Sequence, residues 1–349
     1  MPQSSCEWTH GHEPHAPLTG GRAADRVVFV PERIGDAGVA RGPMPVERVA
    51  VVGAGLMGHG IAQVFAEAGA PVAVWDPDPE VRTSVPDRVR ANLRLLGRPR
   101  VAADRVVERL TVHEALEPAV DGAEVVIEAA PEDLATKQQL FERLGALTGA
   151  GTMLATNTSV MSVGSITERT RHRGRALGTH WWNPPYLIPL VEVVQAEATD
   201  AEVVRRMIEL LASAGKTPVH VRKDVPGFVG NRLQHALWRE AFRLVEEGIC
   251  DPETVDVVVK SSFGRRLGVL GPIENADLVG LDLTLAIHEY LLPHLDRTPG
   301  PAATLRDKVA RGELGMKSGK GFRTWGEGEP AAVRERLLRY LASRAESDA

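Results

Sequence analysis

The fold is decided by the stretch Val46-Glu-Arg-Val-Ala-Val-Val-Gly53-Ala-Gly55-Leu-Met-Gly58. Its apolar run, Val49 to Val52, is short and β-branched, as in a strand that is buried on both faces. The glycines form the pattern G-x-G-x-x-G: the first permits a sharp turn, the second lets a pyrophosphate approach the backbone, and the third lets a helix pack closely. The stretch therefore predicts a strand, a glycine turn and a helix that bind a dinucleotide.

The residues that follow extend this unit. The predicted helix carries apolar residues at helical spacing, namely Met57, Ile61, Val64, Phe65 and Ala68. Gly69 ends it, and Val72–Trp75 is a second strand that finishes at Asp76, 18 residues after Gly58. A carboxylate there accepts hydrogen bonds from ribose hydroxyls and repels a 2′-phosphate, which favours NAD over NADP. The alternative is a glycine turn in some other α/β protein.

Composition limits the classes of function. The chain has 349 residues, enough for two domains, with 43% hydrophobic and 25% charged residues. A formal net charge of -5 and the lack of a long apolar run favour neither a nucleic acid nor a membrane as partner. The two cysteines, Cys6 and Cys250, offer no disulfide framework, so a cytoplasmic location is expected.

Residues 1–43 are rich in Pro, Gly and His and are predicted to be a disordered leader. Cys6, His10, His12 and His15 lack ligand spacing on a scaffold, so no metal site is expected. Val27 to Val30 could form an edge strand or an arm.

The remaining chain predicts an α/β fold: a Rossmann-type, mostly parallel sheet domain over residues 44–224, followed by a smaller all-helical domain over 225–349. Further strands are predicted at 125–130, 152–156, 175–180, 190–194 and 218–221, and helices at 137–147 and 201–214. After Asp224-Val-Pro-Gly227, helices are predicted at about 228–247, 252–263, 277–291, 302–311 and 331–344. The first of these has surplus apolar surface, from Phe228, Leu233, Leu237, Leu244 and Val245, which predicts a homodimer through the helical domain.

Three polar residues stand at predicted strand ends: Ser159, His180 and Glu192. A histidine can take the hydroxyl proton of an alcohol while a hydride leaves the same carbon. A carboxylate on the other ring nitrogen would fix the tautomer and stabilise the imidazolium. The alternatives are a structural histidine beside Trp181 and Trp182, and a turn role for Ser159. A carboxylate in an apolar strand is otherwise unexplained, because burying it without a partner is costly.

Several motifs together resemble the L-3-hydroxyacyl-CoA dehydrogenase family over about residues 46 to 325. They are Val52-Gly-Ala-Gly-Leu-Met-Gly58, Glu132-Asp-Leu-Ala-Thr-Lys137, Ala155-Thr-Asn-Thr-Ser159, Gly178-Thr-His180-Trp-Trp-Asn183-Pro184, Leu190-Val-Glu192-Val, Pro226-Gly-Phe-Val-Gly-Asn231-Arg232 and Lys317-Ser-Gly-Lys-Gly-Phe322. The resemblance implies an NAD-dependent enzyme that acts on a small-molecule substrate, an acyl-CoA or a β-hydroxy acid.

The resemblance also implies residue roles. His180 matches the catalytic histidine, Glu192 its paired glutamate, Ser159 the serine that contacts substrate and nicotinamide, and Asn231 an asparagine that helps to hold the substrate. The implied cofactor-side positions are Gly53, Gly55, Leu56, Met57, Gly58, Asp76, Glu132, Lys137, Asn157, Asn183 and Lys317. Asn231 could instead cap its helix, and Lys137 could be a solvated helix residue.

The sequence departs from the family in two places. The stretch between Asp76 and Glu128 is compact and lacks the lysine-rich hairpin that contacts CoA in the family's acyl-CoA enzymes. The aromatic pair before Asn183 is Trp181-Trp182, and the phrase Pro184-Pro185-Tyr186-Leu-Ile-Pro189 resembles relatives that oxidise L-gulonate or carnitine. The resemblance as a whole makes oxidation of a 3-hydroxyacyl thioester the expected activity, and the two departures leave a free β-hydroxy acid as the alternative substrate. A non-catalytic, crystallin-like NAD-binding protein is an alternative of another class.

Overall fold

The glycine-rich stretch folds into a β-α-β unit, as predicted. Strand β1 is Val49–Val52, helix α1 is Gly58–Glu67 and strand β2 is Val72–Trp75. Gly53 has φ +94°, and a Cβ there would lie 2.6 Å from the backbone of Ala129. A Cβ on Gly58 would lie 1.7 Å from the carbonyl oxygen of Gly53. Both positions therefore require glycine for close packing.

The structure is a computed structural model that describes the backbone of residues 48–347 and the side chains of residues 48–345. Contacts place these residues within one unit, Val39–Ala349. The predicted leader, its cysteine and histidines, and the possible strand at Val27–Val30 lie outside the described residues.

Eight strands form a single sheet in the order β3-β2-β1-β4-β5-β6-β7-β8. The further strands are β3 Leu110–His113, β4 Val125–Glu128, β5 Met153–Thr156, β6 Ala176–Trp181, β7 Leu190–Val194 and β8 Thr217–Val221. Neighbours run parallel except for β6 and β7, which are antiparallel. The mostly parallel sheet predicted from the sequence is confirmed. Strand β3 was not predicted, because it is half-exposed and lacks a long apolar run.

Helices cover both faces of the sheet. The helices up to the last strand are α2 Pro79–Thr83, α3 Val85–Leu95, α4 Arg100–Val107, α5 Leu116–Val120, α6 Leu134–Leu147, α7 Val163–Ile166 and α8 Ala201–Ser213. Alternate strand residues enter two separate cores, so that Val51 packs with Phe65 of α1 whereas Val52 packs with Phe141 of α6. Helix α6 begins three residues before its predicted start, because the Asp133 carboxylate accepts the Thr136 N–H at 2.8 Å.

The chain after β8 is helical, as predicted. The helices are α9 Gly230–Glu246, α10 Pro252–Ser261, α11 Pro272–Val279, α12 Leu281–Leu291, α13 Ala303–Ala310 and α14 Glu329–Ser347. The prediction of one continuous helix at 277–291 is wrong, because two helices, α11 and α12, occupy this region. Gly280, at φ +103°, separates α11 from α12, and Pro272 starts α11 earlier than the apolar pattern indicated.

Large apolar side chains are exposed along this helical part. Leu233 of α9 is 58% exposed, Leu281 of α12 63% and Tyr290 of α12 79%. Phe228 differs from the expectation: it precedes α9 and is buried against Val163 and Val194 rather than contributing to the surplus apolar surface.

Within the described residues, no helix has the length and apolar character needed to cross a bilayer.

Candidate active site

A cavity of about 630 Å³ opens at the carboxyl ends of the central parallel strands. Eight of the predicted site residues line it: Gly53, Gly55, Leu56, Met57, Asp76, Glu132, Asn157 and Ser159. The residues predicted from the sequence therefore include both the glycine turn on one side of this cleft and the residues after β5 on the other.

The dinucleotide end of the cavity has an ordered geometry. The Asp76 carboxylate accepts the Ala54 N–H at 2.7 Å and the Asp78 N–H at 2.9 Å, which fixes its position at the end of β2. The space around Gly55 is open, with no atom within 4 Å of where its Cβ would stand. A fixed ribose-binding carboxylate and an open glycine turn at the start of a helix fit NAD.

The catalytic pair predicted from the sequence is in contact. His180 and Glu192 face each other in the antiparallel register of β6 and β7, and Nδ1 of His180 lies 2.7 Å from Oε2 of Glu192. Both side chains are buried, at 3% and 1% exposure. The contact occupies Nδ1 and leaves Nε2 as the ring nitrogen that can meet a substrate.

The second carboxylate oxygen of Glu192 is held by the start of helix α9. Its Oε1 accepts the N–H of Val229 at 2.9 Å and that of Gly230 at 3.1 Å. Burial acts to raise the pKa of Glu192, but the hydrogen bonds from His180 and from these two N–H groups outweigh it and hold the pKa below its ordinary value. Glu192 is therefore ionised at neutral pH and can stabilise a protonated imidazole.

Aromatic rings enclose the imidazole of His180. Its centroid lies 5.1 Å from the ring of Trp182 and 5.7 Å from that of Phe228. Phe228 has φ +50° and follows Gly227 at φ +76°, so the backbone makes a sharp left-handed turn where it enters α9. Trp182 in turn packs on Gly230, where a Cβ would lie 2.4 Å from the indole Cζ2.

Ser159 is held through its backbone. The Asn231 side chain donates to the Ser159 carbonyl at 2.8 Å, and Oε1 of Glu132 accepts the Ser159 N–H at 2.9 Å. Glu132 also accepts the Thr158 hydroxyl at 2.6 Å and the Val160 N–H at 3.3 Å. Neither backbone contact uses the Ser159 hydroxyl, which remains available to a ligand in the cavity.

Glu132 is kept ionised by these contacts. Burial acts to raise the pKa of Glu132, whereas the Thr158 hydroxyl, the Ser159 N–H, the charge of Lys137 and the Val160 N–H lower it, and the net direction is downward. Glu132 is thus a charged group on the cavity wall, fixed to the segment that carries Ser159.

Lys137 takes a different position from the one its predicted role suggests. Its side chain is 0% exposed and does not line the cavity. Its ammonium donates to Oε1 of Glu128 at 2.7 Å and lies 3.6 Å from Oε2 of Glu132. Glu128 also accepts the Ala130 N–H at 2.7 Å and the Thr156 hydroxyl at 2.6 Å. Lys137 therefore supports the cavity wall from behind.

Sequence reasoning missed Glu128, although a signal was present. A carboxylate ends the apolar run of β4, and a lysine follows nine residues later on the next helix. Because an unpaired buried charge is costly, such a carboxylate needs a partner, and Lys137 supplies it.

The other predicted cofactor-side residues are spread more widely. Asn157 is buried and accepts the Trp181 N–H at 3.0 Å through Oδ1, which joins the cavity wall to the strand of His180. Gly58 packs against Gly53 inside the turn. Asn183 and Lys317 are exposed and do not line the cavity.

This arrangement has a defined chemical capacity. A neutral imidazole with a carboxylate on Nδ1 can accept a proton at Nε2, and the charge that develops is balanced at 2.7 Å. His180 and Glu192 do not themselves line the cavity, but Asn157 does, and it binds the backbone N–H of Trp181, the residue after His180. The cavity fits a nicotinamide dinucleotide, which would supply a hydride acceptor when bound. The His180–Glu192 pair can therefore act as a proton acceptor close to that cavity.

Two family models match the chain in succession. The model described as 3-hydroxyacyl-CoA dehydrogenase, NAD binding domain, matches residues 48–225. The model described as 3-hydroxyacyl-CoA dehydrogenase, C-terminal domain, matches residues 227–325. Together they account for most of the chain, and the first identifies NAD as the cofactor.

Individual relatives of this chain differ in the activity for which they are named. A probable 3-hydroxybutyryl-CoA dehydrogenase of Bacillus subtilis is 37% identical, over 80% of this chain and 97% of that protein. An L-carnitine dehydrogenase of Streptomyces griseus is 38% identical, over 75% of this chain and 76% of that protein.

The chain is also similar to a solved structure of another dehydrogenase. That structure is of 5-formyl-3-hydroxy-2-methylpyridine 4-carboxylic acid 5-dehydrogenase, described as an NAD+ dependent dismutase. The two chains are 31% identical with a TM-score of 0.80, and the match covers 87% of this chain and 99% of that one. A protein with the corresponding activity from Mesorhizobium japonicum is 33% identical, over 85% of this chain and 97% of that protein. The two family models and these relatives show that the chain belongs to the 3-hydroxyacyl-CoA dehydrogenase family.

Proposed function

We propose that the protein is an NAD-dependent oxidoreductase that interconverts an (S)-3-hydroxyacyl thioester, such as a 3-hydroxyacyl-CoA, with its 3-oxoacyl form. The observation that carries this proposal is the buried bond between His180 and Glu192, on a strand whose next residue, Trp181, is bound through its N–H by Asn157 of the NAD cleft. In the oxidation, the C3–H bond breaks and hydride leaves C3, for which NAD bound in the cleft would supply the acceptor. The proton of the 3-hydroxyl passes to Nε2 of His180, and a C=O bond forms at C3.

The other residues position the substrate. We assign the Ser159 hydroxyl to the substrate oxygen and the nicotinamide side of the cleft, since Asn231 and Glu132 already hold its backbone. Asn231 belongs to α9, so the helical part contributes directly to the substrate-binding segment. We place the boundary between the two domains near residue 225, with the leader before residue 44.

The thioester is favoured by the family models and by the Bacillus subtilis relative. A free hydroxy acid is the second candidate, because the carnitine dehydrogenase is equally similar in identity and the chain carries bulky indoles at Trp181 and Trp182. The same His180–Glu192 chemistry applies to both, so only the group that binds the remainder of the substrate differs.

A substrate panel separates the candidates. NADH absorbance is followed with (S)-3-hydroxybutyryl-CoA, L-carnitine and L-gulonate at matched concentrations. The proposal predicts the highest kcat/KM for the thioester. Turnover confined to a free acid would replace the proposal with the second candidate, and absence of turnover with NADH binding retained would favour the non-catalytic, crystallin-like alternative.

We also propose a homodimer formed through the helical part. Leu278 and Leu281 are 70% and 63% exposed, and Tyr290 is 79% exposed. Exposed large apolar side chains concentrated in two successive helices are typical of an interface. Sedimentation equilibrium tests this directly: a mass near twice 37.7 kDa is expected. We place the protein in the cytoplasm, since its two cysteines offer no disulfide framework.

A further inference from the structure

Arg88 of helix α3 reaches the glycine turn from behind. Its Nη1 donates to the carbonyl oxygen of Ala54 at 2.8 Å and its Nη2 to that of Gly55 at 3.0 Å. The same Nη2 lies 2.8 Å from Nδ1 of His59. Arg88 thus lies in the compact stretch between Asp76 and Glu128 and contacts the cofactor-binding turn.

His59 completes the contact as a neutral side chain. It is 6% exposed, and its Nδ1 lies 2.8 Å from the Gly55 carbonyl. Burial lowers the pKa of His59, the Gly55 carbonyl opposes this, and the charge of Arg88 lowers it further, so that the net direction is downward. The guanidinium is therefore the permanent positive charge behind the turn, since arginine stays protonated in proteins.

The two carbonyl groups that Arg88 binds belong to peptide groups whose N–H groups can bind an anion. The Ala54 carbonyl shares its peptide group with the N–H of Gly55, and the Gly55 carbonyl shares its peptide group with the N–H of Leu56. Gly55 and Leu56 line the cavity. A charged donor on a carbonyl polarises its peptide group, which makes the N–H on the other side a stronger donor.

We propose that Arg88 is a positioning residue for the pyrophosphate of NAD. It acts through the peptide groups of the glycine turn: it holds them in place, polarises their N–H groups towards the cavity and adds a positive charge behind the site of the diphosphate. Asp76 holds the same turn from the ribose side through the Ala54 N–H at 2.7 Å, so the turn is fixed by both residues. The role does not depend on which substrate the enzyme oxidises.

Three ligands distinguish this role from a purely structural one. NADH and ADP-ribose contain the pyrophosphate, whereas adenosine occupies the ribose end without it. Binding is measured by calorimetry for NADH and by displacement of NADH fluorescence for the other two. The variants are Arg88→Met and Arg88→Lys, and the control is Arg90→Met, which removes one charge from the same helix at a position paired with Asp87 and Asp104.

The proposal predicts that Arg88→Met raises the Kd for NADH and ADP-ribose by about 10-fold to 100-fold, the range expected for lost charge-assisted hydrogen bonds. The Kd for adenosine should change by less than about threefold, as should all three values in Arg90→Met. Arg88→Lys keeps the charge but loses the two-pronged contact, so an intermediate loss confined to the pyrophosphate ligands is expected.

Two results would overturn the proposal. One is an unchanged NADH affinity in Arg88→Met. The other is an equal loss for adenosine and ADP-ribose, which would mean that Arg88 only maintains the fold of the turn. If Arg88→Met does not fold, Arg88→Lys decides: an unchanged ratio of ADP-ribose to adenosine affinity would reject the role, and a selective loss for ADP-ribose would support it.

Discussion

Glu192 has both carboxylate oxygens engaged, one by the imidazole of His180 and the other by two backbone N–H groups at the start of α9. It can therefore neither rotate away from His180 nor take up its proton readily. At the residue scale, this makes Glu192 an orienting and charge-balancing group rather than a base, which is the division of labour that a histidine base requires.

Replacement of Glu192 by Gln tests this division. The amide keeps the shape but removes the charge that balances the imidazolium, so kcat should fall by about 100-fold to 10,000-fold. The Kd for NADH should stay within about twofold, because Glu192 does not line the NAD cleft. Steady-state kinetics and calorimetry measure the two values, and a loss of NADH affinity equal to the loss of kcat would contradict the assignment.

The depressed pKa of Glu192 predicts a pH dependence of stability. A carboxylate whose folded pKa lies below its unfolded value stabilises the fold above the unfolded pKa, and this stabilisation disappears as the pH falls through the folded pKa. The free energy of unfolding of the parent protein should therefore decrease more steeply than that of Glu192→Gln as the pH falls below 4.5. Urea denaturation from pH 7 to pH 3 measures both slopes, and parallel slopes would contradict the prediction.

Lys137 and Glu128 form a fully buried ion pair whose members depend on each other. Lys137→Met should lower the free energy of unfolding by about 3–5 kcal/mol, since it leaves the Glu128 carboxyl group buried without its partner. The double variant with Glu128→Gln should recover part of this loss. The exposed pair of Arg143 and Glu117 is the matched control, and Arg143→Met should cost about 0–1 kcal/mol. Equal losses in the two single variants would contradict the assignment.

At the scale of elements, the active site depends on how α9 meets strands β6 and β7. The N–H groups of Val229 and Gly230 bind Glu192, and the lack of a Cβ at Gly230 lets the Trp182 indole lie against the helix start. The left-handed residues Gly227 and Phe228 turn the chain into that position. The first turn of the helical part is thus in contact with the catalytic pair.

Gly230→Ala tests this contact. The new Cβ would lie 2.4 Å from Cζ2 of Trp182, so either the indole or the start of α9 must move, and the hydrogen bonds to Glu192 should weaken. We expect kcat to fall by about tenfold or more, in line with the loss of about 1.4 kcal/mol of positioning. Gly268→Ala, where a Cβ meets nothing within 4 Å, is the control. Equal kcat values for the two variants would contradict this account.

Prediction from sequence succeeded where a pattern is local. The β1-α1-β2 unit follows from glycine spacing and apolar periodicity, and the pairing of His180 with Glu192 was anticipated because both stand on strands of one sheet. It failed where tertiary packing decides. Strand β3 is stabilised by β2 although its own sequence is only half-apolar, and Gly280 breaks a helix whose apolar pattern runs through it.

The same difference between local patterns and tertiary contacts explains which site residues could be predicted from the sequence. Arg88 and the N–H groups of Val229 and Gly230 act through contacts across 34 to 38 positions of sequence, and no local pattern gives those contacts. Glu128 had a sequence signal, because a lysine follows it by nine positions, but the signal alone did not identify the pair. Lys137 was placed on the cofactor side by resemblance, but its direction towards Glu128 depends on how α6 lies against β4. The identities of such residues are visible in the sequence, whereas their partners are not.

At the scale of the whole molecule, the sheet part and the helical part differ in how much of their apolar surface is exposed to solvent. The sheet has two closed cores, while α11 and α12 expose apolar side chains such as Ile273, Leu281 and Tyr290. Leu281→Asp should shift the sedimentation equilibrium from dimer towards monomer, because it places a charge in the proposed interface. Glu289→Gln, at an exposed position on the same helix, should leave the mass unchanged. A monomeric parent protein would contradict the proposed dimer.

The central claim is that His180 accepts the hydroxyl proton of a 3-hydroxyacyl thioester while NAD accepts the hydride. The most direct measurement is the rate of NADH formation from (S)-3-hydroxybutyryl-CoA by His180→Gln, with NADH affinity measured in the same samples. The control is His220→Gln, which changes an exposed histidine on the edge strand β8. The account predicts a fall in kcat of about 100-fold to 10,000-fold in His180→Gln, with NADH affinity retained and the control unaffected. Turnover by His180→Gln at the rate of the control would show that the proton acceptor is another group.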